Sequence, residues 1–168
     1  MTNERIPLLL DAVRAEQAGG QPGFAALARA MQELVGYKVL TLLRFDVETF
    51  RSVRLFSSEP SYPIGGVKQH RRGGAWSEHI VDRRVPFVAA TTKDVRGTFP
   101  DHAGIEAAGC GSTLSVPVLY RDRPIGTLNL WHVSGFYGPG SAKPVVPFAA
   151  LLVPACLRED VPSPAAPV

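Results

Sequence analysis

The sequence predicts an α+β fold, an antiparallel sheet with helices packed on one face. Two observations carry this. The hydrophobic period is 3.6 near both ends of the chain and 2 in two stretches between them. Each period-2 stretch reads as strand, short polar turn, strand, so the element order is helices, hairpin, irregular middle, hairpin, helix.

Taken in order, residues 4–18 are expected to be helical. Ile6, Leu9, Leu10 and Val13 recur at i, i+3, i+4 and i+7, Pro7 sits where a first turn tolerates it, and Gly19-Gly20 ends the run. A second helix is expected from Pro22 to Val35, with Phe24, Leu27, Ala28, Met31, Leu34 and Val35 as its stripe and Gly36 as a left-handed stop. "YKVLTLLRF" (37–45) and "FRSVRLFS" (50–57) then form a hairpin around "DVET". The first of these strands is apolar on both faces: Val39 and Leu43 point one way, Leu40 and Leu42 the other. It must therefore be covered on both sides, by the terminal helices on one and the middle of the chain on the other.

The middle, 58–109, holds a short edge strand within "PIGGVKQHRRGG", a short helix over 75–82, an extended piece at "PFVAA", and a helix in "PDHAGIEAAG" with Asp101 as N-cap and Gly109 as stop. A second hairpin follows. Leu114, Val116 and Val118 alternate with Thr113, Ser115 and Pro117, "RDRP" turns, and Leu128 and Leu130 oppose Thr127, Asn129 and Trp131. Pro117 cannot donate to a ladder, so a bulge or an edge is expected there. The last helix spans about 146–158, with Phe148, Leu151, Leu152, Ala155 and Cys156 as its stripe and a kink at Pro154. The expected organisation is an N-terminal helix (1–20), one domain (21–158) and a disordered tail (159–168).

Composition narrows the function classes. The 168 residues, 45% hydrophobic and 20% charged, suit one globular domain. The net charge of +3 is dispersed in small knots such as "HRR", "DRR" and "RDR", unlike the basic face of a nucleic-acid reader. Two cysteines exclude a disulfide framework and fit a reducing compartment. The longest apolar run, "PVVPFAALLVPACL", is short of a bilayer span and carries three prolines. A soluble, cytoplasmic protein is expected, with no nucleic-acid or membrane partner. His70, His79, His102 and His132 show no metal-ligand spacing, and no phosphate-loop or dinucleotide fingerprint is present. No metal and no cofactor are therefore predicted.

The stretches "GGAWSEHIVDRRVPFVA" and "TFPDHAGIEAAGCGSTLSVPVLYRDRPIGTLNLWH", followed by the "GFYGPG" loop and an apolar helix, resemble the GAF domain family, small-molecule-sensing modules related in shape to PAS domains. The resemblance covers about residues 22–157. It implies a central sheet of about six strands, terminal helices on one face that often pair with a second subunit, and a ligand pocket on the other face roofed by the middle segment.

Within that frame the candidate ligand-binding residues are Trp76, His79, Phe87, Ile105, Cys110, Ser112, Thr113, Asn129 and Trp131. Trp76 and His79 share a helix face and serve either as pocket wall and donor or as core and surface residues. Asn129 offers a donor and an acceptor if its strand face is the pocket floor; if it faces the terminal helices it is satisfied by backbone. Ser112, Thr113 and Ser115 are polar candidates on the neighbouring strand.

Cys110, between two glycines after a helix C-terminus, reads as a small packed thiol, a ligand contact or a nucleophile. The helix dipole there disfavours a thiolate. One related family, the free methionine-R-sulfoxide reductases, carries a Phe-Pro-Gly-His motif with a cysteine shortly after it. Here "FPDHAGI" keeps Phe99, Pro100 and His102, but Asp101 replaces glycine and Ile105 stands where that cysteine belongs. The Asn-Lys-Phe-Asp-Glu signature of cyclic-nucleotide-binding relatives is echoed only by Lys93, Phe99 and Asp101. The Cys-His pair of bilin-attaching relatives is absent, since Gly111 follows Cys110.

The sequence thus predicts a non-catalytic, small-molecule-binding sensory module, signalling through a homodimer of its terminal helices or through a partner protein. The alternatives are a thiol-dependent reductase and an interaction module whose pocket is plugged by Trp76 and Phe87.

Overall fold

The computed structural model describes residues 5–160. The element order is α1 (Arg5–Ala18), α2 (Phe24–Leu34), β1 (Val39–Asp46), β2 (Arg51–Ser57), β3 (Val67–Gln69), α3 (Ala75–Ser77), β4 (Phe87–Ala89), α4 (Thr92–Thr98), α5 (His102–Ala107), β5 (Ser112–Tyr120), β6 (Arg123–His132), α6 (Val146–Leu151) and α7 (Val153–Leu157). The six strands form one antiparallel sheet in the order β3-β2-β1-β6-β5-β4. The two hairpins meet along β1 and β6, where Leu40 lies opposite Leu130 and Thr41 opposite Asn129.

Strand alternation sorts the side chains into two cores. Leu40, Leu42, Leu55, Leu114, Val116, Val118, Leu128 and Leu130 pack with Leu27, Met31, Phe148 and Leu152 of the terminal helices. Val39, Phe45, Phe50 and Trp131 face the other way and meet Trp76, Ile80, Val95, Phe99 and Ile105 of the middle segment. The covering of β1 on both sides is as its composition requires. Each fully buried leucine here stabilises the fold by roughly 1.5–3 kcal/mol.

Several local expectations are refined. The 75–82 helix is one α-turn, α3, that runs on into a π-helical stretch, Glu78–Arg83, closed by Arg84 at φ +55. Helix α4 was not expected, because "TKDVRGT" has almost no apolar period; it is set by a capping box in which Thr91 and Asp94 bond each other's backbone. The turn of the second hairpin is Arg121-Asp122 alone, both at positive φ (49 and 60), as a two-residue hairpin loop demands. Pro117 lies beyond the end of β4, whose ladder stops at Ser115 opposite Phe87, and a register shift follows at Val118/Leu119. The last helix does not kink at Pro154 but breaks into α6 and α7 at Leu152, with Pro154 in the first turn of α7, where its missing N–H is harmless. Residues 1–4 and the tail beyond 160 lie outside the described residues.

Asp101 does not cap α5: no side-chain cap bond forms. Its carboxylate is turned instead to Lys68 Nζ, 2.9 Å away on β3. A charge-assisted contact to a largely buried ammonium outweighs one to a solvent-accessible backbone N–H.

Candidate functional site

The middle segment forms a lid over the sheet face that β1, β2, β6 and β5 leave free of the terminal helices. Two polar contacts hold α4 to α5 and α5 to the loop between β2 and β3. Arg96 donates to Glu106 through Nε (2.8 Å) and Nη2 (2.7 Å), holding the Glu106 carboxyl down at about 2. Tyr62 Oη donates to Gly104 O at 2.8 Å.

Between lid and sheet lies a cavity of about 540 Å³ counted out to its mouth. The part wide enough for the centre of a water molecule is about 40 Å³, room for roughly three waters. Its floor is Val39, Thr41 and Leu43 of β1 and Asn129 and Trp131 of β6. Asn129 Nδ2 donates to Thr127 Oγ1 (3.1 Å), Thr127 O (3.2 Å) and Thr41 Oγ1 (3.4 Å), a side-chain network across the strands. The walls are Tyr62, Trp76, Phe99, Ile105, Ala108 and Cys110. Phe99 meets Trp131 edge-on at 5.2 Å between centroids.

Three further residues give the cavity its electrostatic character. His70 is stacked on Trp76 at 4.3 Å and hydrogen-bonded to Ser52 Oγ. Burial, reinforced by the Lys68 charge, pushes its pKa down to about 3, so the ring is neutral at ordinary pH. The Lys68 side chain is only 16% exposed and lies over Phe99 and Trp131, 4.8 and 5.9 Å from their centroids. Burial lowers its pKa and Asp101 opposes that shift. Arg54 lies over Tyr62 and donates to Pro63 O at 2.9 Å, while its Nε is buried without a partner.

Of the nine residues singled out from sequence, Trp76, Ile105, Cys110, Asn129 and Trp131 line the cavity. The other four, His79, Phe87, Ser112 and Thr113, do not. His79 Nδ1 is bonded to Ala75 O and its ring meets Phe87, both away from the cavity. Ser112 and Thr113 spend their hydroxyls on backbone carbonyls, donating to Val133 O and Leu130 O. Ser115 Oγ is buried with no partner. The open cavity argues against a pocket plugged by Trp76 and Phe87, since Trp76 forms a wall and Phe87 packs beneath the lid. Tyr62, Arg54, Lys68, His70 and Asp101 were missed. Ser52, Arg54, Lys68 and His70 do alternate in β2 and around β3, but such a polar alternation reads as a solvated face and does not mark a site.

The two thiols stand on opposite sides of the sheet. Cys110 belongs to the lid core and Cys156 to the helix core. Burial raises both, Cys156 to about 12, with Lys38 drawing Cys110 back in part. This arrangement brings no second thiol to Cys110. In the native protein at pH 8, neither cysteine is expected to react with a disulfide reagent such as Ellman's within minutes, and two are expected to react per chain after unfolding. One rapidly titrating thiol in the native state would contradict this placement.

Among the described residues no group of three or more His, Cys, Asp and Glu side chains is placed to hold a metal, and no helix is long and apolar enough to cross a membrane. No protein-family model and no curated protein matches the sequence. Solved structures do match the fold. The GAF domain of the Acinetobacter phosphoenolpyruvate-protein phosphotransferase superposes with a TM-score of 0.63 at 18% identity, covering 93% of this chain and 94% of its own. The phycocyanobilin-bound GAF domain of a cyanobacterial phytochrome gives 0.67 at 14% identity, covering 89% and 92%. The GAF domain of a two-component sensor histidine kinase from Bacillus halodurans gives 0.61 at 13%, covering 79% and 89%. The chain has the GAF-domain fold.

Proposed function

We propose that this GAF-fold chain is a sensory module that binds a small molecule in the cavity between sheet and lid. The observation that carries the reading is the lining of that cavity. Aromatic and aliphatic walls surround a few convergent polar groups, Asn129, Arg54, Lys68 and Asp101, the composition of ligand pockets in general. The likeness to a phycocyanobilin-bound domain and to domains of sensor kinases supports the same reading, although fold alone never specifies chemistry.

In this reading the ligand orders the lid, and the sheet transmits the change to the helix layer on its other face. That layer exposes Leu8 (71%) and Leu157 (44%), positions suited to a homodimer or to a partner protein in the cytoplasm. The sheet itself is the stiff element, because its two hairpins are joined by the β1–β6 ladder, Val39–Arg44 against Gly126–Trp131.

A native mass spectrum of the protein purified from its source, together with a thermal-shift screen of small metabolites, tests this. A releasable adduct or a saturable rise in Tm is expected. Ala108→Phe, which fills the cavity from its partly exposed rim, is expected to abolish the effect while leaving the Tm of the free protein within a few degrees. Ligand stabilisation that persists in Ala108→Phe would place binding elsewhere.

A further inference from the structure

The cavity holds an unbalanced charge. Arg54 and Lys68 both line it, Asp101 is the one carboxylate among its lining residues, and His70 is neutral. At the rim, Lys38 and Glu59 act on Cys110 with opposite signs. Burial and the Arg54 charge both depress the Lys68 pKa, and burial depresses that of Arg54. An excess positive charge in a largely enclosed, aromatic-walled space is unfavourable until an anion joins it. Arg54 Nε is buried with no acceptor, and the Lys68 ammonium has one carboxylate partner for three N–H donors.

We propose that the ligand is a small carboxylate. Its carboxylate takes Arg54 and Lys68, its apolar body lies among Phe99, Trp76 and Trp131, and it displaces Asp101 from Lys68. This deepens the sensory reading above and rests on it. A planar carboxylate matches the side of a guanidinium and supplies the acceptor that Nε lacks. The size of the cavity limits the body to about one ring or a short chain, because its wide part holds only roughly three waters.

Displacement of Asp101 has a structural consequence. The Lys68–Asp101 pair ties edge strand β3 to the start of α5, and Tyr62 to Gly104 is the neighbouring tie to the same helix. Asp101 is 54% exposed on its side chain, so it can swing into water while its partner stays buried. The pair is then a latch. The ligand carboxylate replaces the protein's own, and α5 loses one of its attachments to the sheet edge.

Both tryptophans of the chain line the cavity, so their emission reads occupancy directly. The test titrates the full chain with acetate, benzoate and phenylacetate, and with the neutral benzamide and phenylacetamide as shape-matched controls, following emission excited at 295 nm. At least one carboxylate is expected to saturate and to bind about tenfold tighter than its amide, the scale of one charge-assisted contact. Lys68→Met is expected to bring that preference to about twofold or less. Asp101→Asn, at an exposed position, is expected to raise carboxylate affinity by about tenfold and leave amide affinity unchanged, because the competitor has been removed. Far-UV circular dichroism confirms that each variant is folded. Amides binding as tightly as carboxylates, phosphate alone saturating the signal, or weaker carboxylate binding in Asp101→Asn would each overturn the inference while the sensory reading stands. Absence of binding by every probe overturns the inference, and the metabolite screen above then judges the sensory reading separately.

Discussion

Gly126→Ala is expected to destabilise the protein by about 3 kcal/mol, at the upper end of overpacking penalties. Gly126 lies on β6 between Arg44 of β1 and Val118 of β5. A Cβ there would sit 2.6 Å from Cys156 Sγ and 2.7 Å from the Leu43 carbonyl oxygen, with Val118 Cβ at 3.5 Å. The sulfur belongs to α7 and the carbonyl to the neighbouring strand, so neither the helix layer nor the ladder can yield cheaply. Urea unfolding of Gly126→Ala and of Gly126→Ala with Cys156→Ala checks this. The double variant is expected to recover only part of the loss, since the Leu43 carbonyl remains. An unchanged midpoint in the single variant would show that α7 does not pack on β6 as described.

Acid is expected to weaken the fold through His70. Its ring is 7% exposed, stacked on Trp76 and held neutral down to a pKa of about 3. The unfolded chain binds a proton near pH 6.5 and the folded chain does not until about 3, so stability is full above 6.5 and is lost as pH falls below it. Between pH 7.5 and 4.5 this group removes roughly 3 kcal/mol, because each tenfold rise in proton activity below pH 6.5 favours the unfolded chain by ~1.36 kcal/mol. His132 is also pushed down by burial and adds a slope of the same sign, so the informative quantity is the difference between wild type and His70→Gln. Urea midpoints across that range should fall more steeply in the wild type. Parallel curves would mean that His70 is solvated in the native state.

His70 also bears on the site. Neutral, it adds no third cation to Arg54 and Lys68. Protonated, it would stand beside Lys68 and be repelled by it, so the same residue that limits acid stability keeps the cavity at a single surplus charge.

The element types, the two-sided burial of β1 and the alternation of the second hairpin are legible in the residues themselves. Leu40, Leu42, Leu114, Val116, Leu128 and Leu130 recur at a strand period, and burying them needs no knowledge of what covers them. Helix α4 is less legible because a capping box, not a stripe, makes it. The aromatic part of the cavity, Trp76 and Trp131, could be anticipated because large aromatic side chains must be covered somewhere.

The charged part could not. Local alternation would place Val53 and Leu55 inward and leave Ser52 and Arg54 to solvent, and would bury Val67 and expose Lys68. The tertiary structure does otherwise. Val67 is 47% exposed, while Lys68 is opposite Ser52 and shares its face, the face that the lid covers. An extra residue in β2, where Leu42/Leu43 shifts register, lets Leu55 and Phe56 both pack toward the helices, with Arg54 opposite Leu43 on the cavity side. By itself the sequence determined an α+β fold with a sheet covered twice, because burial of apolar surface is periodic and local to each strand. Which polar face became a cavity, and that two cations would share it with one carboxylate, was decided only by strand register and by a lid more than 40 residues away along the chain from Arg54 (Asp101 pairing with Lys68, Tyr62 with Gly104). Those are long-range placements that no local pattern encodes.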